Sequence, residues 1–527
     1  MPLAAQETTV ERYRRFETQF TSTAEYRNAV QDVSVEVEFT SPSGRKIIVP
    51  AFWDSRRIWR VRLSPEQIGI WKYHTRCSRA EDTRLHDQTG NFRCVPYTGN
   101  NPLYRHGPLR VSDDRRYLQH RDGTPFFWLG DTAWNGALKS DTGSWEIYLA
   151  DRVAKGFTGV QFVATQWLAG AANGDLRTAY QGVDRISIDP VFYQWMDQRV
   201  DSLNEHGLIA APVLLWSTGP AGLSPGVTLP DEQLIVLARY IVARYGAHQV
   251  IWILNGDGNY RGERAERWKR IGRAVFGDHP DRPVTMHPGG QQWVADEFRG
   301  EPWFSFNSYQ SGHGGNEKAW RWLIEGPPAD DWKKEPHLPS INLEPNYEAH
   351  NSFPTLKPFD AHDVRRAAYW SLLVAPPAGV TYGGHGIWSW ELAPNVPMNH
   401  PNTGQARPWY QAIQLPGSTN MKHLAALFGS LEWWTLRPAP ELMMEQPGRA
   451  DPLRFIAAAQ AVNKQWALIY TPEGGAVSVK TGAIEGAKKA RWFNPRMGEW
   501  QEAAPLDAAV QTFRTPDSDD WILWIGR

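Results

Sequence analysis

The chain has 527 residues, of which 41% are hydrophobic and 21% charged, and its formal net charge is -1. That length suggests about three domains, and the composition is that of a globular protein with a core. It carries no basic stripe of the kind nucleic acid or an anionic membrane surface requires. No apolar run of about 18 residues or more occurs, so no membrane span is expected. The unusual feature is aromatic: 27 Trp, 18 Tyr and 20 Phe. Such rings bury well against the C–H face of a sugar while their polar edges stay wet.

The first residues, Met1-Pro-Leu-Ala-Ala-Gln-Glu7, have no apolar leader core. A cytoplasmic location follows from that reading, or a periplasmic or secreted one if a leader has been removed. Residues 1–106 read as a small β-sandwich. Val33–Phe39 alternates apolar and polar residues, the period of a half-buried strand, and Ser41-Pro-Ser-Gly44 marks a turn. Ile47–Trp53, Ile58–Leu63, Gly69–Cys77 and Asn91–Val95 continue the pattern. Cys77 and Cys94 flank the turn-rich stretch Glu81–Asn91, and spacing leaves a disulfide between them open.

From 107 to 431 short apolar runs alternate with helical stretches. The runs are Phe126–Asp131, Gly159–Ala164, Leu208–Trp216, Val250–Asn255, Pro283–His287, Trp303–Asn307, Ser340–Glu344 and Gly379–Gly383. Asp189-Pro190 opens a helix that Gly207 ends, and Asp231 precedes Glu232–Tyr245, which Gly246 closes. Arg261–Phe276, Glu317–Glu325 and Ala361–Val374 fill later slots. Eight strands alternating with helices predict a closed (β/α)8 barrel. A doubly wound open sheet would want a glycine-rich phosphate loop after its first strand, and none is present. Residues 432–527 return to short strands, among them Gln465–Tyr470, Arg491–Asn494 and Trp521–Ile525. The fold class is therefore α/β, a TIM barrel between two small all-β sandwiches.

Barrel enzymes place their chemistry at the C-terminal ends of the strands. That rim collects Asp131, Gln166, Trp167, Trp216, Asn255, Asp257, His287, Tyr309, Gln310, His313, Glu344, His385, Trp388 and Trp390. Two acids end apolar strands there, Asp257 after strand four and Glu344 after strand seven, where a core role would be costly for a charge. Two carboxyls across a mouth are what cleavage of a glycosidic bond needs. Competing readings exist: Asp257 before Gly258 also fits a turn, and Glu344 before Pro345 fits a strand cap. Asp131 fits either the N-cap of the next helix or a reader of sugar hydroxyls, and Glu348 and Glu391 are rival acids. His313 has no second histidine at metal-ligand spacing, and Ser311 lacks a nucleophile elbow, so neither a metal centre nor a serine hydrolase is expected. No cofactor is implied.

At these residues the chain resembles the apiosidase-like glycoside hydrolases of the retaining (β/α)8 clan. The matching segments are Phe127-Trp-Leu-Gly-Asp-Thr-Ala-Trp134, Trp252-Ile-Leu-Asn-Gly-Asp257, Tyr309-Gln-Ser-Gly-His313, Asn342-Leu-Glu-Pro345 and Tyr382-Gly-Gly-His-Gly-Ile-Trp388. The flanking sandwiches resemble the β-domain that often precedes this barrel and the collagen-binding-like domain that often follows it. The resemblance implies Asp257 as acid/base and Glu344 as nucleophile of a retaining double displacement. The wider clan usually has Asn-Glu where this chain has Asn255-Gly-Asp257, a departure shared with the apiosidase-like branch. Tyr309 would orient Glu344; Trp167, Trp388 and Trp390 would form the sugar platform. Asp131, Trp134, Gln166, Asn255, Gln310, His313 and His385 would complete the substrate site. The implied substrate is a pentofuranoside or related side chain of a plant or microbial polysaccharide, attacked from its end. The alternative is a non-catalytic carbohydrate- or matrix-binding protein on the same barrel. A polysaccharide lyase would need basic residues over a uronate, and the rim has few. Association into a homo-oligomer is left open.

Overall fold

The computed structural model describes residues 8–527, and the Met1–Glu7 stretch read for a leader lies outside the described residues. Its centre is a sheet of eight parallel strands: β1 (Trp128–Thr132), β2 (Gly159–Val163), β3 (Ile209–Leu215), β4 (Trp252–Asn255), β5 (Val284–Thr285), β6 (Asn307–Tyr309), β7 (Ser340–Asn342) and β8 (Gly379–Tyr382). Their order is β5-β4-β3-β2-β1-β8-β7-β6. Every residue of β1, β2, β3, β4 and β8 is buried. This is why these segments read as continuous apolar runs and not as alternating ones.

The sheet closes between β5 and β6 without a regular ladder. Ser305 N donates to Val284 O at 2.9 Å, and Val284 N donates to Ser305 Oγ at 3.0 Å. Thr285 Oγ1 reaches Phe306 O at 2.7 Å, and the Ser308 hydroxyl donates to Met286 O. Side-chain hydroxyls thus stand in for strand pairing along this seam. Strand six begins at Asn307, later than the expected Trp303–Asn307. Trp303 and Phe304 instead pack against Phe298, with ring centroids 5.9 and 5.8 Å away. A run of buried aromatics looks like a strand in sequence whether or not it enters the ladder.

Helices α1 (Thr142–Ala154), α2 (Pro190–Glu205), α3 (Asp231–Tyr245), α4 (Glu263–Phe276), α5 (Ala295–Phe298), α6 (Glu317–Glu325), α7 (Ala361–Leu373) and α8 (Pro416–Gly429) follow the strands in turn. The Asp189 side chain caps α2 by accepting from Val191 N, with Pro190 in the first turn. Asp360 and Asp363 form a reciprocal capping box on α7.

The N-terminal unit has a five-stranded and a three-stranded sheet around Phe16, Phe39, Trp59, Trp71 and Phe92. The expected strand Ile47–Trp53 divides at Ala51. Lys46–Pro50 joins the larger sheet and Phe52–Ser55 the smaller. Cys77 and Cys94 are buried free thiols. Cys94 lies opposite Gly69 at the far end of the strand that Cys77 terminates, well beyond the Cα separation a disulfide allows. Arg62 of this unit reaches Asp197 on α2 at 2.9 Å, and Asp197 also holds Arg244 of α3 at 2.7 Å. At the other end lie a six-stranded and a two-stranded sheet, and the six-stranded one meets α7, where Arg365 pairs with Asp520 through contacts of 2.9 and 2.8 Å. No helix among the described residues is long and apolar enough to cross a membrane.

Candidate active site

The ends of β4 and β7 bring Asp257 and Glu344 into one cleft, because His287, just past β5, touches both. Its Nε2 is 3.1 Å from Glu344 Oε2 and 3.9 Å from Asp257 Oδ1. Adding those legs, the two carboxyl oxygens lie no more than about 7.0 Å apart.

Glu344 is 8% exposed and held by two imidazoles. His313 Nε2 lies 3.0 Å from Oε1, opposite the His287 contact. Tyr347 N donates to His313 Nδ1 at 3.4 Å, so the imidazole hydrogen sits on Nε2 and points at the carboxylate. Burial alone would push the Glu344 carboxyl up. The two imidazole hydrogen bonds overcome that and hold it well below the usual carboxylate range. Tyr347 is buried beside it, and its phenol is pushed up by burial and then by the Glu344 charge.

Asp257 is set the other way. Its side chain is 37% exposed at the mouth, with the remainder walled in by the rim. Burial first, and the Glu344 charge second, raise its carboxyl to about 6. His287 pulls it down, as does Gln310, whose amide Nε2 donates to Oδ1. Two carboxyls of one cleft thus have opposite proton affinities, the arrangement that separates an acid from a nucleophile or base.

Aromatic rings wall one side. Trp134 meets His287 edge-on at 5.0 Å and Trp216 at 5.5 Å, and Trp216 lies 4.3 Å from Trp167. Asn255, fully buried at the end of β4, has neither amide atom paired with a protein group among the described residues. An unpaired buried amide costs about 1–3 kcal/mol, and at this position it leaves one donor and one acceptor for a ligand.

Five expected site residues turn out to be structural. Asp131 is fully buried and points out of the barrel, accepting from Tyr148 at 2.7 Å and Arg152 at 3.2 Å on α1. It is neither an N-cap nor a reader of hydroxyls; Asp141 caps α1. Gln166 spends both ends of its amide on Ala179 N and Tyr180 O, shaping its own loop. Tyr309 does not orient Glu344: its ring lies 5.3 Å from Trp293 and 5.9 Å from Trp322. Strand alternation turns Ser308 and Gln310 inward and Tyr309 outward. His385 is fully buried, donating from Nε2 to Gly404 O at 3.0 Å and accepting from Trp388 Nε1 at 3.1 Å. Trp390 is no platform, being stacked on Trp409 at 4.8 Å and backed by Tyr148. The rival acids are also engaged. Glu348 accepts from Tyr382 at 2.6 Å and from Gly417 N at 2.9 Å, capping α8, and Glu391 accepts from Asn395 at 3.3 Å. Tyr347, His350 and His400, which also gather around Glu344 or the wall, carried no local signal in the sequence. His287 and Trp216 showed only as rim residues.

A (β/α)8 barrel with a divided pair of carboxyls between aromatic walls is the framework of a glycosidase. Residues 112–435 match the apiosidase-like catalytic domain, and the chain belongs to that family. Residues 9–78 match a domain of unknown function (DUF5060), and residues 438–525 match the proposed collagen-binding domain of a collagenase. Two solved Bacteroides vulgatus structures share the fold. A glycoside hydrolase family 5 protein is 23% identical, with TM-score 0.70 over 81% of this chain and 95% of its own. A second, assigned as a glycoside hydrolase, is 17% identical with TM-score 0.72 over 99% and 100%. No protein of curated function matches the chain in sequence.

Proposed function

We propose that Glu344 is the nucleophile and Asp257 the acid/base of a retaining glycosidase that removes a terminal pentofuranose from a plant or microbial polysaccharide side chain. In the first step a Glu344 oxygen bonds to the anomeric carbon as the bond to the leaving oxygen breaks, and Asp257 gives its proton to that oxygen. In the second, Asp257 takes a proton from water, the water oxygen bonds to the anomeric carbon, and Glu344 departs as carboxylate.

The observation that carries this reading is the division of the pair. Two imidazole hydrogen bonds keep Glu344 ionised, while Asp257, raised to about 6, holds a proton at mildly acid pH. Retaining enzymes separate their carboxyls by about 5–5.5 Å and inverting ones by about 6.5–9.5 Å. The ceiling of about 7.0 Å on the nearest oxygens here admits the retaining separation, and the stereochemistry of the product decides. Asn255 and Gln310 would bind near the acid, and Trp134, Trp167, Trp388 and His313 would line the sugar site. The pentofuranose is part of this proposal, and membership of the apiosidase-like family supports it.

Proton NMR of the first-released anomer from a nitrophenyl pentofuranoside tests the mechanism. Retention is expected in the wild type, with loss of turnover in Glu344→Gln. An inverted first product would replace the nucleophile with a general base.

A further inference from the structure

The segment after the β8 turn crosses the mouth and is pinned on three sides. At its base Trp409 N donates to Glu391 O at 2.7 Å, and Asn395 pairs with Ala406 through bonds of 3.2 and 2.7 Å. On the β7 side Asn351 N donates to Thr403 O at 3.0 Å. On the β8 side His385 holds Gly404 O. On the β2 side Asn399 Nδ2 donates to Leu168 O at 2.6 Å. The loop therefore spans the arc of the rim from β7 through β8 and β1 to β2.

His400 sits at the crossing. Its ring meets Trp388 edge-on at 5.0 Å and tilts towards Trp167 at 6.3 Å. Nδ1 lies 2.8 Å from Met398 O. A carbonyl only accepts, so the imidazole hydrogen is on Nδ1 and Nε2 carries a lone pair. That nitrogen has no hydrogen-bond partner among the described residues, and the ring is only part-buried. Burial keeps the imidazole neutral; it also lies within the field of Glu344, which pulls the other way, and of His313.

We infer that His400 is a specificity residue of the terminal-sugar subsite. Its Nε2 accepts a hydrogen bond from a hydroxyl of the sugar seated beside Trp167 and Trp388. The pinned loop ends the cleft at that sugar, so a glycan cannot continue past it. An acceptor lone pair suits a hydroxyl and repels a carboxylate, so the subsite takes an uncharged sugar in preference to a uronic acid. This rests on the reading of Asp257 and Glu344 as the centre of cleavage.

Quenching of tryptophan fluorescence by free apiose, L-arabinose, D-xylose and D-galacturonate tests the subsite. The wild type binds at least one neutral sugar more tightly than galacturonate. His400→Ala weakens that binding about tenfold, and His400→Gln, whose amide oxygen still accepts, stays within about threefold. Binding unchanged in His400→Ala, lost equally in both variants, strongest for galacturonate or absent in the wild type overturns the assignment. Digestion of pectic polysaccharide tests the wall. The wild type releases monosaccharide alone, and replacement of residues 394–405 by a short Gly-Ser link adds larger fragments. Oligosaccharides from the wild type, or monosaccharide alone from the trimmed loop, overturn the wall. The two readings separate in Glu344→Gln, which binds sugar without cleaving it. Full cleavage by that variant sinks the catalytic pair and leaves the His400 affinities standing on their own.

Discussion

Replacing Glu344 with Gln removes a charge while keeping the shape of the side chain, and its consequence should be readable at Asp257. Their nearest oxygens lie within about 7.0 Å. Two unit charges at that distance repel by about 2.4 kcal/mol at an effective dielectric of 20, roughly 1.7 pH units of titration. The Asp257 side chain is 37% exposed, and water at the mouth screens about half of this. The Asp257 midpoint should therefore fall by about one pH unit, from about 6 towards about 5. It should not fall all the way to the value of a free aspartate, because burial persists. His287 tolerates the change, since its Nδ1 has no partner among the described residues and a switch of tautomer lets Nε2 accept from the new amide. Carbon-detected NMR of labelled aspartate, with Asp257→Asn for assignment, measures the midpoint in both proteins. A midpoint that stays put would mean burial alone holds the acid, and the electrostatic division of the pair would be refuted.

Asp257→Asn should lower kcat/KM about 10²–10⁴-fold on glycosides with poor leaving groups and far less on dinitrophenyl glycosides, which leave without a proton; equal losses on both would remove Asp257 as acid. In the wild type, kcat/KM should fall as pH rises through about 6, because Asp257 must be protonated. Gln310→Ala removes a donor to the ionised form and should shift that limb to higher pH, whereas Tyr309→Phe, facing away from the cleft, should leave it in place. Asp197→Ala leaves Arg62 and Arg244 buried without their shared carboxylate and should cost about 3–5 kcal/mol in urea unfolding. The arginines hold Asp197 well below the usual range against its burial. Its contribution is therefore complete above about pH 4 and is lost as pH falls, and the acid sensitivity of unfolding should flatten in the variant.

The barrel was legible because its strands are buried on both faces, and the two acids because each ends such a strand abruptly. What the sequence hid was direction. Asp131 and Asp257 both follow apolar runs, yet β1 continues to Thr132 and turns Asp131 out towards Arg152, while Gly256 and Asp257 lie beyond the end of β4. Tyr309 and Gln310 are neighbours on opposite faces of a strand whose start was misplaced within an aromatic run. The clamp on Glu344 joins His287 and His313 from two different loops, and nothing local to either histidine announces the other. Trp390 reads in sequence as one more indole of the rim; its partner Trp409 arrives only by way of the long loop.

The seam between β5 and β6 places the least regular joint of the barrel directly beneath its chemistry. His287 follows one of these strands and Gln310 the other, so the two side chains that both lower the Asp257 carboxyl stand on opposite lips of one seam in the sheet. Their spacing is governed by Thr285, Ser305 and Ser308, hydroxyls that a single methyl group could replace. A change at any of them should therefore reach the Asp257 carboxyl only by shifting His287 or Gln310.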